Sequence, residues 1–386
     1  MKVEQLTLGD LLTLDQIAVR VDPSATYRSA GVLNRGRGLF RKPDLLGSDT
    51  SYSTLYRLHA GQVIYSRLFG WEGAVTTVDA EFDGCHVSSE FPTLASDASR
   101  VSTAYLDHYL KSPTLAALIA KAGSGLGQRR QRVSVGSFLG LPIPLPSRED
   151  QDRIAAHFDS LARAGERAAV SSEDAQALYA SLRERVFANF DAADYRPLGT
   201  VLTSVDQTEE VSPETAYPTI GVRARGRGAF DSGQTLGSET SYKRLRRFSA
   251  GQVCYPKLMG WQGAFTVIPA ELDGYFASPE FVAFDVDRAS ASERYLDHIF
   301  RWSNFVNAAA ERATGTNANR RRLQPADFLG LKVPLPPIET QHRIARWLDL
   351  ATGVVSKAVD ASQLASAVLP AARNKVFAAL TRGNTP

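Results

Sequence analysis

The chain has 386 residues, 44% of them hydrophobic and 22% charged, with a formal net charge of +3. That length allows two or three ordinary domains, each with its own core, and the composition is that of a globular protein rather than a disordered or fibrous one. Cys85 and Cys254 fall at different places in the two halves, so neither a disulfide framework nor a cysteine-based metal site is indicated.

No apolar run reaches membrane-spanning length. The start, MKVEQLTLGDLL, carries Glu and Asp where a secretory signal needs a basic end and an apolar core, so the expected location is the cytoplasm. Along the first 146 residues the pattern is mixed. Gln62–Tyr65 and Ala74–Val78 are β-branched and alternating and predict strands, with Gly70 and Gly73 between them. Ser102–Lys121 predicts one helix, with Tyr105, Leu106, Tyr109, Leu110, Leu118 and Ile119 as its apolar positions. After an apolar, Pro-punctuated strand end, Ser147-Arg148-Glu149-Asp150 has the form of a helix N-cap. From there Ile154, Phe158, Leu161, Ala168, Leu178, Leu182 and Val186 recur at threes, fours and sevens, the stripe of a helix that buries one face against another.

The whole pattern is then written again, 190 positions on, without net insertion or deletion. Phe138–Asp159 (FLGLPIPLPSREDQDRIAAHFD) returns as Phe328–Asp349 (FLGLKVPLPPIETQHRIARWLD). Arg35–Gly38 (RGRG) returns as Arg225–Gly228, Ala60–Val63 as Ala250–Val253, Gly70-Trp71 as Gly260-Trp261, and Tyr105–His108 (YLDH) as Tyr295–His298. A period this long is a duplicated domain and not a solenoid. The second stripe carries Ile344, Leu348, Ala351, Val355, Leu364, Val368 and Val376, and Pro370 within it predicts a kink or break. The expected architecture is therefore α/β: a first domain over 1–146, a long helix over 147–190, a second domain over 191–336 and a second long helix over 337–383. A two-fold relation between the copies would send the second helix back antiparallel to the first, as a coiled-coil rod between two heads. About 40 residues at ~1.5 Å each make that rod at most ~60 Å, one to two turns of duplex DNA.

Basic residues gather at matching places in the heads: Arg35 and Arg37 with Arg225 and Arg227; Arg129, Arg130 and Arg132 with Arg320, Arg321 and Arg322; Arg67 with Lys257. Arginine suits phosphate contacts and bidentate reading of guanine, and glycine lets a loop approach a backbone closely. Clusters present in both heads point to nucleic acid, whereas the tryptophans are expected in the core. Catalytic patterns are weak. Of six histidines only His108 and His298 correspond, and they read as structural; the chain carries no phosphate-loop, zinc or nucleophile-elbow motif. The expectation is a reader without a catalytic or metal site of its own.

Leu145-Pro146-x-x-Glu149-x-Gln151-x-Arg153-Ile154-Ala155, repeated as Leu335-Pro336-x-x-Glu339-x-Gln341-x-Arg343-Ile344-Ala345, resembles the junction between target-recognition domain and helix in specificity (S) subunits of type I restriction–modification systems. The runs Ser51-Tyr52 to Ala74 and Ser241-Tyr242 to Ala264 are similar to those domains too, so the resemblance covers nearly the whole chain. It implies a non-catalytic DNA-binding subunit whose two target-recognition domains each read half of a bipartite site, with Tyr52 and Tyr242 added to the basic residues. It implies helices that dock methyltransferase (M) subunits, through stripe residues such as Ile154, Phe158, Leu161, Ile344, Leu348 and Val355. S-adenosylmethionine, ATP and Mg2+ would belong to those M subunits and to restriction (R) subunits. Where many relatives have Gly-Asp before the strand, this chain has Gly61-Gln62 and Gly251-Gln252. Alternatives from other classes are a protein-interaction scaffold, the DNA-recognition subunit of a related defence complex, and a nucleic-acid enzyme using His108 and His298 as acid–base groups.

The two heads are alike enough to predict similar, inverted half-sites. They differ between Ser53–Tyr56 and Lys243–Arg246, where part of each half-site is expected to differ.

Overall fold

The computed structural model describes residues 2–122, 132–315 and 321–383. It is a mixed α/β protein that divides into two compact units: 1–170 with 360–386, and 171–359. The two long helices are present, α4 over Arg148–Ala188 and α8 over Ile338–Thr381. Each begins in one unit and ends in the other, so each unit is a head completed by the first half of one helix and the last half of the other.

In the first unit, Val75–Thr77, Val63–Tyr65, Thr93–Ser96 and Leu12–Leu14 form an antiparallel four-stranded sheet in that order. Beside it, His86–Val87, Thr54–Arg57 and Ile17–Arg20 form a second sheet. The second unit repeats the first sheet with Thr266–Val267, Val253–Pro256, Phe281–Val286 and Leu202–Val205. It enlarges the other to five strands by including the hairpin Ala216–Val222/Ala229–Leu236. Among the described residues the Pro-rich segment Pro142–Pro146 pairs only with Val3–Thr7, an edge pairing in which missing N–H groups are tolerated.

Two local expectations are corrected. The single helix expected over 102–121 is two, α1 Thr103–Leu110 and α2 Pro113–Ala122, with α3 following at Val135–Leu139. Pro113 cannot donate back into the preceding turn and disfavours helical geometry at Ser112, whose hydroxyl instead accepts from the Leu115 N–H at 3.2 Å. The second unit breaks at the same place without a proline, between α5 Glu293–Ile299 and α6 Ser303–Arg312, with α7 following at Pro325–Leu329. There the Glu184 carboxylate takes hydrogen bonds from the Ser303 N–H and hydroxyl at 3.0 and 2.7 Å, a negative charge at a helix start. Pro370, conversely, ends nothing: α8 runs through it. Leu369 and Ala372 on either side pack on the first unit's core, and that burial offsets the missing hydrogen bond.

The Ser147 cap forms as expected, its hydroxyl accepting from the Asp150 N–H at 3.3 Å. Gln151 and Gln341, from the repeated helix-start motif, are almost fully buried. Gln151 accepts from the Ser102 N–H at 2.8 Å and donates to the Arg100 and Pro146 carbonyls. Gln341 does the same with Ser292, Ser290 and Pro336. Each amide thus ties strand end, helix start and head helix together, which is why the motif needs a group that both donates and accepts.

The returning helices finish the cores. In the first unit Phe377 lies 5.6 Å from Tyr105, 5.1 Å from Tyr109 and 5.6 Å from Phe158 between ring centroids. Gly165 faces the Ala365 carbonyl farther along, so the two helix segments of this unit run antiparallel. In the second unit the matching Phe187 packs on Tyr295 and Trp302. Phe158 and Leu348, expected to face partner subunits, are instead 0% exposed within these cores. At these positions the stripe faces its own head, whereas its members Leu178, Leu364 and Val368 are exposed. Ile154, Leu161 and Ile344 are half-buried at the edge of the same cores, and Val355 is half-buried on α8. The apolar residues α8 leaves exposed in the second unit are Trp347, Leu350 and Val354, on a different face.

Candidate nucleic-acid interface

The RGRG loops are tight hairpin turns. The Leu33 N–H bonds to the Gly38 carbonyl and the Arg223 N–H to the Gly228 carbonyl, at 2.9 and 3.0 Å. Arg35-Gly36 and Arg225-Gly226 occupy the two central positions, all four residues with φ near +60°. Glycine adopts that geometry freely; arginine in it costs about 1 kcal/mol or more. The turns are held there from one side. The Arg35 and Gly36 N–H groups bond to the Glu72 and Gly73 carbonyls at 2.9 Å, and Arg225 and Gly226 repeat this with Gln262 and Gly263 at 2.9 and 2.8 Å. A Cβ at Gly36 would lie 2.9 Å from the Lys111 backbone, and one at Gly226 2.4 Å from the Arg301 side chain. Arg35, Arg37, Arg225 and Arg227 are all exposed, so each head presents two guanidiniums on a rigid turn.

The second cluster is built around a carboxylate. Arg67 is half-buried; its N–H bonds to the Glu90 carbonyl and its own carbonyl accepts from Val133, which brings Arg132 alongside. Arg132 pairs with the Glu90 carboxylate at 2.6 Å. In the other unit Lys257 and Arg322 share Glu280 at 3.8 and 3.1 Å. With the Arg132 side chain 58% exposed, its ion pair is of the kind worth about 0–1 kcal/mol and readily exchanged for a phosphate. Arg321 is a correction: it is half-buried, donates to the Ala310 carbonyl at 2.6 Å and covers the Trp261 ring at 5.3 Å, a packing role inside its unit. Arg129, Arg130 and Arg320 lie outside the described residues. Tyr52 and Tyr242 are 42% and 44% exposed, each with its N–H bonded to the threonine hydroxyl two residues before it.

The stretch that distinguishes the heads has a structural partner. Arg244, Arg246 and Arg247 pair with Glu210, Asp206 and Glu209 on or beside the adjacent strand. In the first unit the same two strands face each other through Ala18/Tyr56 and Val19/Leu55. Where Arg244 lies opposite Glu210 the first unit has Thr54 opposite Arg20, and the carboxylates of all three ion pairs are exposed.

Residue-by-residue sequence reading missed the tip between these clusters. Leu68 and Phe69 are 38% and 49% exposed, and Met259, at the position of Phe69, is 37% exposed. The available signal was a matched apolar pair directly between a basic residue and Gly-Trp. Phe69 also walls a cleft of 490 Å³ in the first unit, lined among others by Tyr52, Lys42, His86, Glu90 and Phe91. A larger cavity of 710 Å³ in the second unit contains Arg227, but its other charges are matched, Arg288 with Glu293, Arg294 with Asp349 and Arg301 with Asp297.

The matched histidines are held in the cores. His108 Nε2 bonds to Asp159 at 2.9 Å, while its Nδ1 accepts from Arg373 Nη2 at 2.7 Å. His298 Nε2 bonds to Asp349 at 2.9 Å, with the Tyr179 hydroxyl 3.0 Å from Nδ1. Burial lowers both pKa values; at His108 the Arg373 charge adds to this, against Asp159 and Asp107. An imidazole accepting at Nδ1 is neutral there, so the unfolded chain takes up the proton first. The stabilisation is complete above the unfolded value near 6.5 and is lost as the pH falls below it. Melting temperature is therefore expected to drop between pH 7.5 and 5.5, and less steeply in His108→Gln; a difference between the proteins that does not change with pH would refute this. Among the described residues no group of three or more His, Cys, Asp or Glu could hold a metal, and no helix is long and apolar enough to cross a membrane.

No protein-family model matches the chain, and no curated protein matches it. Solved structures do. The HsdS subunit from Thermoanaerobacter tengcongensis aligns with a TM-score of 0.53 at 18% identity, over 99% of this chain and 97% of that one. A chain from a structure described as the basis of complex assembly and conformational transition of the type I R-M system gives 0.67 at 17%, over 99% and 98%. The type I restriction–modification S subunit from M. genitalium gives 0.55 at 13%, over 98% and 96%. At these identities the likeness establishes the fold: this chain is built as S subunits are, from end to end.

Proposed function

We propose that the chain is the sequence-specific DNA-binding subunit of a type I restriction–modification complex, each unit reading one half of a bipartite site. The observation that carries this is the pair of exposed arginines standing on the same left-handed, doubly anchored turn in both units of an S-subunit fold. A strained turn kept twice, with its charged side chains turned to solvent, is accounted for by a ligand that both units meet. Duplex DNA is such a ligand, since phosphates position a protein and base edges specify it. The helices α4 and α8, shared between the heads, set the gap between half-sites and dock methyltransferase subunits, and Trp347, Leu350 and Val354 are the apolar contacts they offer. Chemistry lies with the partners: methyltransferase subunits would carry S-adenosylmethionine, and restriction subunits ATP and Mg2+. No reacting group is assigned to this chain, because His108 and His298 are both engaged at two nitrogens by their own unit.

Because the RGRG turns and the carboxylate-centred clusters match, the two half-sites should be similar and inverted. Methylome sequencing of a host with and without this gene tests the proposal. Adenine methylation at a bipartite motif that vanishes on deletion is the expected result, and an unchanged methylome would reject it. Two unrelated half-sites would reject the inverted repeat alone.

A further inference from the structure

We infer that Phe69 and Met259 are wedges that enter a base step of the bound duplex and unstack it, an inference that rests on the DNA-binding reading above. Large apolar side chains at matching loop positions are left partly in water in both heads, Phe69 49% and Met259 37% exposed, where further burial would stabilise the fold. Their loop is not loose. The Phe69 N–H bonds to the Ser66 hydroxyl at 3.1 Å, the Gly70 N–H to the Ser66 carbonyl at 2.7 Å, and the Trp71 indole N–H to the Leu68 carbonyl at 2.9 Å. The Met259 N–H bonds to the Pro256 carbonyl at 3.0 Å. A rigid, exposed apolar tip can push between stacked bases, whereas a mobile one would fold away.

The surroundings identify the occupant. The turn that follows each tip is the one that accepts the backbone bonds of Arg35 and Arg225, so tip and guanidiniums form one construction. Arg67 precedes the first tip and Lys257 the second. An apolar point preceded by a cation and joined through its turn to exposed guanidiniums fits a polyanion with an apolar, stacked interior, the arrangement by which apolar side chains kink DNA. Phe69 also borders the 490 Å³ cleft, which leaves open volume beside it. Phenylalanine offers an aromatic face to a base and methionine does not, so the distortion should be larger in the half-site read by the first unit.

The test uses the full chain with the methyltransferase subunits that co-purify with it, on the target duplex with 2-aminopurine placed at successive positions. Emission is expected to rise at one step of each half-site on binding, more in the half-site of the first unit. Phe69→Ala should abolish the rise there and weaken binding roughly 5- to 100-fold, while Phe69→Trp retains it. Both variants should melt as the parent does, the side chain being exposed. Salt-sensitive, specific binding with emission at the duplex level throughout would overturn the wedge and leave the DNA-binding reading standing. Loss of methyltransferase subunits in Phe69→Ala with DNA affinity unchanged would make the tip a protein-docking point and also overturn it. Failure of the parent complex to bind DNA at any salt concentration would overturn both.

Discussion

Removing the four exposed loop guanidiniums, by Arg35→Gly, Arg37→Ala, Arg225→Gly and Arg227→Ala, is expected to weaken binding to target DNA roughly a thousandfold while leaving the fold intact. Each arginine in contact with phosphate or base edge contributes about 1 kcal/mol or more, and losses at independent contacts roughly add. Glycine is chosen at 35 and 225 because both positions have φ near +60°. There it removes backbone strain together with the charge, and the lower strain is balanced by greater freedom of the unfolded chain, so stability should change by less than about 1 kcal/mol. The dependence of affinity on salt should also flatten, by up to about one unit of log–log slope per phosphate contact removed. Fluorescence anisotropy at several salt concentrations measures both. Undiminished affinity in a variant that melts normally would place the DNA elsewhere on the protein. Loss confined to one head's pair would show that only that unit reads DNA through this turn.

Phe377→Ala is expected to destabilise the first unit by about 3–5 kcal/mol, and Phe187→Ala the second by a similar amount. Both rings are 0% exposed and sit among aromatic side chains contributed by their own head. What makes the expectation informative is where they come from in the chain. Phe377 lies near the end of α8 and completes a core begun by residues such as Leu8 and Leu11, and the Gln5 amide donates to the Leu380 carbonyl at 2.9 Å. A cavity left there weakens the attachment of the returning helix as well as the core. Chemical denaturation should show an early transition for one unit, with the other unit's transition near its original midpoint. A shift of less than about 1 kcal/mol would mean that the helix end contributes little to the unit, against the packing described.

The duplication, its offset, the helix caps and the paired arginines could all be read from the linear chain, because each depends on residues close in sequence or on plain self-comparison. Ser147 caps α4 through a residue three positions away, and the RGRG turn is a four-residue event, so local chemistry sufficed for both. The break at Ser112-Pro113 was legible in principle from the proline; the apolar periodicity running through it concealed it, since both halves bury the same side against one core.

What tertiary structure alone decided is which side of each helix belongs to its own head. The apolar stripe through Phe158 and Leu348 satisfies a partner protein and an intramolecular core equally well on periodicity, and only long-range contacts, such as Phe158 with His108 and with Phe377, distinguish them. The same dependence on neighbours brought up by folding lays Arg321 over the Trp261 ring, carries α8 through Pro370 and leaves Phe69 partly in solvent. Burial is set by the neighbours that folding brings up, and those neighbours are far away along this chain.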